Sequence, residues 1–389
     1  MTPVVVKLDG HSLTLQNVVD VARNDAQVTL SSDAKKRVQT TAQLIAQWVK
    51  SGKIIYGVTT GFGPFSEVII SPEKAPELQR NLLISHASGV GSPFPTEIVR
   101  AAMLLRANTL TSGYSGIRLQ TLELLMSLLN KRVHPIIPEK GSVGASGDLA
   151  PLSHMALVLI GEGEAEYQGV RLSGAKALSK ARLAPIELEQ KEGLALINGT
   201  QVTTAIAVLA LADAQALVHS AEIAAALSIE ALEGVLDAFD ERIHKVRPHP
   251  GQIRTAKHLN SLFRGSSQVL TSKQRAKNAA KATADFHKSL PPAILSDETV
   301  KTILEQTIHA VAAIDQQQIV ETPDTGRVLQ RQRDNIQQHF ESLGVPSEAF
   351  EAAVKTTQAT RRVQDAYSLR CTPQVFGAAR DAIAYVEQT

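Results

Sequence analysis

The chain has 389 residues, 43% of them hydrophobic and 20% charged, and its formal net charge is +2. This near balance argues against nucleic acid as the main partner, because phosphate binding needs a concentrated cationic face. A single cysteine, Cys371, excludes an internal disulfide framework and a cysteine-only metal site. We see no secretory signal and no run of about 18 apolar residues, so we expect no membrane span and a cytoplasmic location.

Helices are predicted through most of the first half of the chain, in keeping with an aromatic content of only 4%. At the N-terminus, Val4–Val6 and Ser12–Leu15 predict two short strands around a turn at Asp9-Gly10. The Gly- and Thr-rich stretch 54–72 predicts an ordered loop, and 165–170 a strand. Apolar residues at helical spacing predict helices over 33–49, 73–85, 96–109, 117–129 and 149–160.

The second half of the chain contains two contrasting helical regions. Residues 203–238 are apolar on several faces, which is typical of a helix inside a bundle. Residues 265–360 are rich in Gln, Lys, Arg and Thr but keep one apolar helical face, which predicts a peripheral helical pair. Between them, Arg247–Gln252 contains two prolines and a glycine and predicts a rigid turn.

The first of three unusual loops is Tyr56–Gly63, with three glycines in eight residues. Glycine permits backbone conformations with positive φ and close approach of other groups. Tyr56 at its head is a candidate proton acceptor or donor. The alternative is a buried tyrosine beside a tight turn.

The second loop, Gly141–Leu152, contains Ala145-Ser146-Gly147 and then Asp148, a good N-cap for the helix that follows. Taken alone, it predicts a Gly-rich helix entry that binds an anion. It lacks the Lys-Ser/Thr ending of a phosphate loop. The Ala-Ser-Gly run allows a different chemistry. The Gly147 nitrogen can attack the Ala145 carbonyl, and loss of two waters gives an imidazolone whose Ser146 carbon becomes an exocyclic methylene, a strong electrophile.

Two further segments place polar groups among apolar neighbours. Asn198, in Leu194–Gln201, is either a structural amide or a donor aimed at a ligand. Near the C-terminus, Gln364, Tyr367 and Arg370 share one face if the segment is helical. Arginine is suited to bind a carboxylate with two hydrogen bonds; the alternative is a solvated helix face.

His86 follows the apolar run Leu82–Ser85 and, taken alone, is more typical of a core histidine with its hydrogen bonds satisfied. The eleven histidines are scattered and show no His-Glu-x-x-His spacing, so we expect no metal site.

Together, these motifs resemble those of the aromatic amino acid ammonia-lyases that use a 4-methylideneimidazole-5-one (MIO) electrophile, and most closely those of the histidine-specific members. The resemblance runs from about residue 5 to 265 and resumes from about 361 to 389. It depends on the signature run Gly141–Leu152 and on four further motifs in the family's order, which are Tyr56–Gly63, Asn198–Gln201, His249–Gln252 and Gln364–Cys371.

The resemblance implies a mostly α fold, a long-helix bundle of the fumarase/aspartase–ammonia-lyase type with a small N-terminal mixed α/β, loop-rich part. We expect an MIO-bearing domain over 1–200, the start of the central bundle over 201–265 and 361–389, and a helical insertion over 266–360. The family also implies a homotetramer whose active sites combine loops from several subunits.

The resemblance assigns a role to each matching residue. The electrophile would form from Ala145, Ser146 and Gly147. Tyr56 would remove the substrate's β-proton, and Asn198 would hydrogen-bond near the electrophile. Arg370 would bind the substrate carboxylate, with Tyr367 and Gln364 beside it. Ser85 and His86 occupy the pair of positions that selects the substrate side chain, where Ser-His matches the histidine-specific type.

The implied reaction is elimination of ammonia from L-histidine to give trans-urocanate, with no external cofactor, metal, nucleic acid or membrane. The alternatives are a phenylalanine or tyrosine ammonia-lyase, an aminomutase, or a truncated, non-catalytic helical relative.

The chain departs from the family pattern in two places. The His249–Gln252 and Gln364–Cys371 motifs are farther apart than is usual, so about 270–360 is expected to be an insertion of unknown function. Family members also continue past the segment that corresponds to 377–389, which is typical of the opening of their long central helix. We therefore expect a C-terminally short chain with weak or no lyase activity as an isolated polypeptide.

Overall fold

The computed structural model describes residues 4–63, 66–292, 296, 298–317, 323–361 and 365–388. The chain divides into two compact units, residues 1–213 and 214–389. Helices dominate both units, as the sequence predicts. The boundary differs from the three predicted domains, whose division of the second half into bundle and insertion remains a prediction.

The elements of the first unit follow one another in short steps. They are β1 (Val5–Leu8), α1 (Leu15–Arg23), β2 (Gln27–Leu30), α2 (Ser32–Lys50), α3 (Ala75–His86), β3 (Val90–Pro93), α4 (Thr96–Thr111), α5 (Leu119–Asn130), β4 (Val133–Pro135), β5 (Pro138–Lys140), α6 (Leu149–Leu159), β6 (Glu164–Tyr167), β7 (Val170–Ser173), α7 (Gly174–Lys180) and α8 (Glu192–Ile197). Helix α9 (Gln201–Ala231) contains the unit boundary.

The second unit is helical throughout its described part. After α9 come α10 (Glu241–Val246), α11 (Pro250–Leu262), α12 (Ser272–Ser289), α13 (Glu298–Gln317), α14 (Pro323–Ser342), α15 (Ser347–Arg361), α16 (Tyr367–Arg370) and α17 (Thr372–Gln388). Short 3-10 turns occur at Pro72–Lys74 in the first unit and Leu236–Phe239 in the second.

The predicted N-terminal hairpin is wrong. Strand β1 instead pairs in parallel with β2, and α1 forms the crossover. The reason is local capping: the Asp9 carboxylate accepts hydrogen bonds from the His11 and Ser12 amides, and Thr14 forms a capping box with Asn17. These bonds start a helix where the alternation of Ser12–Leu15 favoured a strand.

The first unit has one continuous apolar core. Helices α4, α5 and α6 supply most of it, with side chains such as Met103, Leu125 and Met155 fully buried. Two small antiparallel sheets flank these helices, β3–β5 and β4–β6–β7, and the predicted strand at 165–170 belongs to the second. This rigid core supports the loops that carry the candidate site.

Helix α9 is longer and more apolar than an ordinary surface helix. By length and composition alone, the stretch Glu192–Ala231 could cross a membrane, a possibility that we did not identify in the sequence. A core helix meets the same criterion, and 39% of the most apolar window is buried within the protein.

The second unit contains two separate apolar cores. Residues of α12 to α15 form one core around Phe340 and Phe350, whose rings stack with centroids 5.2 Å apart. The other forms around Phe239 and Phe263 beside α9 and α11. The segment 265–360 therefore forms a cluster of four helices with a core of its own, and the predicted helical pair is too small.

A buried carboxylate connects three helices of the second unit. Glu222 on α9 is fully buried and accepts two hydrogen bonds from Arg380 on α17, at 2.7 and 2.6 Å. Thr255 and His258 of α11 donate to the same carboxylate at 2.7 and 2.6 Å. Burial raises the pKa of Glu222, but the hydrogen bonds and the Arg380 charge together outweigh it and lower that pKa to about 2.

His219, Glu222 and His258 have ligand atoms within 4.8 Å of one another, a spacing that could hold a metal ion. Two features work against a cation there. The imidazoles of His219 and His258 stack with planes 17° apart, so their in-plane lone pairs do not converge. The Arg380 guanidinium already neutralises Glu222. In this arrangement the cluster is an ion-pair network.

We expect Arg380→Met to cost about 3 kcal/mol of unfolding free energy, because it leaves a buried carboxylate without its cation. The control is Arg242→Met, which breaks an exposed pair with Asp240 and should cost less than about 1 kcal/mol. Urea denaturation followed by circular dichroism measures both, and equal losses would contradict the prediction.

The pH dependence of this network has a defined sign. A carboxyl whose pKa is depressed in the folded state stabilises that state above its ordinary pKa, and the stabilisation is lost as the pH falls through the folded-state value. For Glu222 the window runs from 4.5 down to about 2. Glu222→Gln, which cannot titrate, should therefore lose less stability than the unmodified chain across this window.

Candidate active site

The loop that precedes α6 folds tightly back on itself. Gly147 bridges to both Gly144 and Ala145, and its φ of 95° lies in the region that favours glycine. A Cβ atom at Gly147 would meet the Gly199 carbonyl oxygen at 2.5 Å. The close turn of the Ala-Ser-Gly run therefore requires glycine at 147, in agreement with the cyclisation chemistry predicted from the sequence.

Asp148 ties this loop to the following segment of the chain. Its side chain is buried, and it accepts hydrogen bonds from Ser142 Oγ at 2.9 Å and from the Thr203 amide and hydroxyl, each at 2.8 Å. Its own amide donates to Gly199 O at 2.6 Å. Asp148 does occupy the N-cap of α6, but its side chain makes no capping bond, because Thr203 and Ser142 engage both oxygens.

Asn198 lies beside the electrophile loop, as predicted. Its Nδ2 donates to Ser146 Oγ at 3.5 Å. The turn that carries it is held from behind by Arg106, which donates to Gln201 Oε1 at 2.8 Å and also to Ala195 O. Arg106 is buried, and burial lowers its pKa to about 10.

The Tyr56 loop packs against the helix that leads to Asn198. A Cβ at Gly57, whose φ is 71°, would lie 3.5 Å from Leu194 at that helix and 3.2 Å from Phe62. The Tyr56 side chain is 62% exposed, which contradicts the alternative of a buried tyrosine. Its ring meets Phe62 edge-on, and its hydroxyl accepts a hydrogen bond from the Gly63 amide at 3.4 Å.

The Ser85-His86 pair ends α3, where it is partly accessible. His86 Nδ1 lies 2.9 Å from the Leu82 carbonyl oxygen and 3.1 Å from Ser85 Oγ. Since a carbonyl can only accept, Nδ1 carries the proton in the neutral ring. His86 Nε2 is then an acceptor, available to a ligand N–H. This is a different environment from the apolar core suggested by the preceding run.

The C-terminal motif belongs to the second unit. Arg370 lies over the Tyr367 ring, 4.0 Å from its centroid, so the predicted sharing of a helical face holds for these two residues. Arg370 Nε is buried without a hydrogen-bond partner among the described residues. Gln364, predicted to lie beside them, falls outside the described residues.

Two residues of this constellation carry no sequence signal that we recognised. Arg106 lies in the interior of α4, where an arginine among apolar residues is the one available cue to a buried polar role. Thr203 lies in the first turn of the apolar α9 and is an unremarkable residue until Asp148 is placed against it.

Comparison with known proteins identifies a single family. A family model described as aromatic amino acid lyase matches residues 13–285 and 322–389. The histidine ammonia-lyase of Alkaliphilus oremlandii is 45% identical over 382 residues, covering 98% of this chain and 58% of that protein. The histidine ammonia-lyase of Caldanaerobacter subterraneus is 42% identical with the same coverage. The chain thus spans under two thirds of the length of these curated relatives.

Solved structures show the same fold. Tyrosine aminomutase from Streptomyces globisporus superposes with a TM-score of 0.73 at 32% identity, over all of this chain and 60% of that one. Phenylalanine aminomutase from Pantoea agglomerans gives 0.72 at 30% identity, over 99% of this chain and 61% of that one. The predicted mostly helical, long-helix fold of the ammonia-lyase type is confirmed.

Removing the Asp148 carboxylate tests its role at the centre of the loop contacts. Asp148→Ala should cost about 3 kcal/mol, because it leaves the Thr203 amide and the Ser142 and Thr203 hydroxyls without an acceptor. Asp33→Ala, at the exposed first turn of α2, is the control and should cost less than about 1 kcal/mol. Urea denaturation of the intact chain measures both, and a loss at Asp148 as small as at Asp33 would refute this role.

Proposed function

The chain belongs to the aromatic amino acid lyase family, and from this premise we propose that it is a carbon–nitrogen lyase that eliminates ammonia from L-histidine to give trans-urocanate. The main support is the tight Ala145–Ser146–Gly147 turn beside Asn198. The names of relatives at 42–45% identity support the choice of substrate.

The electrophile of this proposal is made from the chain itself. The Gly147 nitrogen bonds to the Ala145 carbonyl carbon, and the Ala145 oxygen leaves as water with the amide protons of Ser146 and Gly147. Ser146 then loses its hydroxyl and its α-proton as a second water, which leaves an exocyclic methylene. The close turn supports the first step, since it shortens the path between the two reacting atoms.

Once formed, the MIO group supplies an electrophile that captures either the amine or the ring of the substrate. The side chains provide the other functions. Tyr56, exposed and close to the electrophile loop in sequence motif and in packing on α8, takes the β-proton. Arg370 binds the carboxylate through its fork of N–H donors, with Tyr367 and Gln364 beside it.

His86 favours histidine over the other aromatic amino acids. Its Nε2 acceptor can receive the imidazole N–H of the substrate, with Ser85 as its neighbour. A phenylalanine ring offers no donor to satisfy this nitrogen, so its binding would leave a desolvated acceptor unpaired. This argument supports the histidine-specific assignment over a phenylalanine lyase or aminomutase.

We also propose that the chain assembles as a homotetramer. Within the second unit, α9 and α17 expose large apolar side chains, among them Leu217 (69%), Leu227 (64%) and Tyr385 (70%). Exposed apolar helix faces of this kind are typical of surfaces that pack against another chain. Sedimentation velocity without detergent should give a single species of four chains; a monomer would contradict the assembly.

Intact mass spectrometry tests the electrophile directly. The unmodified chain should lack two waters relative to its sequence. Gly147→Ala should retain the full mass, because its Cβ would collide with the Gly199 carbonyl oxygen. Gly144→Ala is a matched control: its φ of 76° carries a similar backbone strain, but a Cβ there meets nothing within 4 Å, so cyclisation should persist. A full mass in the unmodified chain would reject the catalytic proposal.

Turnover tests the substrate. Urocanate should form from L-histidine at least about 100-fold faster than cinnamate or coumarate forms from phenylalanine or tyrosine, as read by ultraviolet absorbance. Tyr56→Phe should lower kcat about 100- to 10,000-fold. Tyr114→Phe, at an 89% exposed tyrosine, is the control and should leave kcat unchanged. No conversion of L-histidine by a cyclised protein would favour the non-catalytic relative.

A further inference from the structure

We propose that His154 is a positioning residue that holds the substrate-selecting Ser85–Gly89 segment at a set distance from the electrophile loop. Its Nε2 accepts a hydrogen bond from the Gly89 amide at 3.1 Å. This inference rests on the proposed function, which assigns Ser85 and His86 to substrate selection.

His154 connects two parts of the site that are 65 residues apart in sequence. It lies on α6, the helix that begins directly after Asp148 and the electrophile loop. Gly89 is the third residue after His86. The hydrogen bond therefore joins the helix that follows the electrophile to the segment that carries the side-chain selector.

The amides that follow α3 show why this bond matters. The Ala87 amide donates to Leu83 and Ile84 of the same helix, and the Ser88 amide donates to the His86 carbonyl. These bonds are local and only close the end of α3. The Gly89 amide is the first to bond outside the segment, so His154 determines the direction in which the chain leaves His86.

Close packing around Gly89 strengthens the constraint. A Cβ at Gly89 would lie 3.0 Å from His154 Nε2 and 3.2 Å from Pro138 Cβ. A Cβ at Gly141, the first residue of the electrophile loop, would lie 2.9 Å from the Gly89 Cα. The selector segment, strand β5, the electrophile loop and α6 thus meet at one point, where a shift of Gly89 would reach every one of them.

The bond requires a neutral imidazole. An N–H donor needs a lone pair on Nε2, so the proton of the ring resides on Nδ1. Burial lowers the pKa of His154, which favours this neutral form. An apolar side chain could fill the same space but could not accept the Gly89 amide, which gives a means of separating positioning from packing.

The test compares two substitutions of similar length in the intact chain. His154→Met fills space without a good acceptor, whereas His154→Gln presents a side-chain amide oxygen near the position of Nε2. We expect Met to speed hydrogen exchange in peptides that contain the Gly89 amide by about tenfold, and Gln to restore protection. We also expect Met to raise KM for L-histidine about five- to tenfold with little change in kcat, and Gln to reverse this.

The readouts separate this inference from the proposed function. Exchange at Gly89 does not depend on turnover, and intact mass reports cyclisation independently of both. A cyclised Met variant whose Gly89 exchange and KM match those of the unmodified chain would overturn the positioning role. Loss of two waters with no conversion of L-histidine would instead reject the function, while faster exchange in the Met variant would still support the role of His154 in holding the segment.

Discussion

One buried carboxylate, Asp148, determines how the candidate site is assembled. Its oxygens bind Ser142 on one side and Thr203 on the other, and its amide binds the Gly199 carbonyl. A buried carboxyl group is stable only when hydrogen bonds replace its water, and here those bonds come from segments more than 50 residues apart in the chain. Satisfying Asp148 therefore brings the Ala-Ser-Gly turn and the Asn198 turn together.

The same contact explains the demand for small residues. With Asp148 bonded to Gly199, the backbones of Gly147 and Gly199 lie so close that a Cβ on Gly147 would collide with a carbonyl oxygen. Arg106 supports the opposite side of the Asn198 turn through Ala195 and Gln201. A reactive turn is thus held between a carboxylate and a guanidinium, both anchored on helices of a rigid core.

The second unit shows a similar use of buried charge for a different end. Glu222 joins α9, α11 and α17 through Thr255, His258 and Arg380. Short-range pattern could identify the apolar character of α9 but not this network, because Arg380 lies 158 residues from its partner. The four-helix cluster over 272–361 was likewise underestimated, since a single apolar stripe does not reveal how many helices share a core.

Local sequence alone determined the helices, most of whose predicted bounds agree with the structure to within a few residues, and it singled out the Gly-rich motifs. Residues close in sequence decide such features through periodicity, capping and backbone freedom. The N-terminal strands were the exception, since the parallel pairing of β1 with β2 depends on a crossover helix. Only the tertiary structure decided which polar groups satisfy one another. Asp148 with Thr203, Arg106 with Gln201 and His154 with Gly89 are long-range partners, and burial selects them because a buried polar group must find a partner wherever the fold provides one.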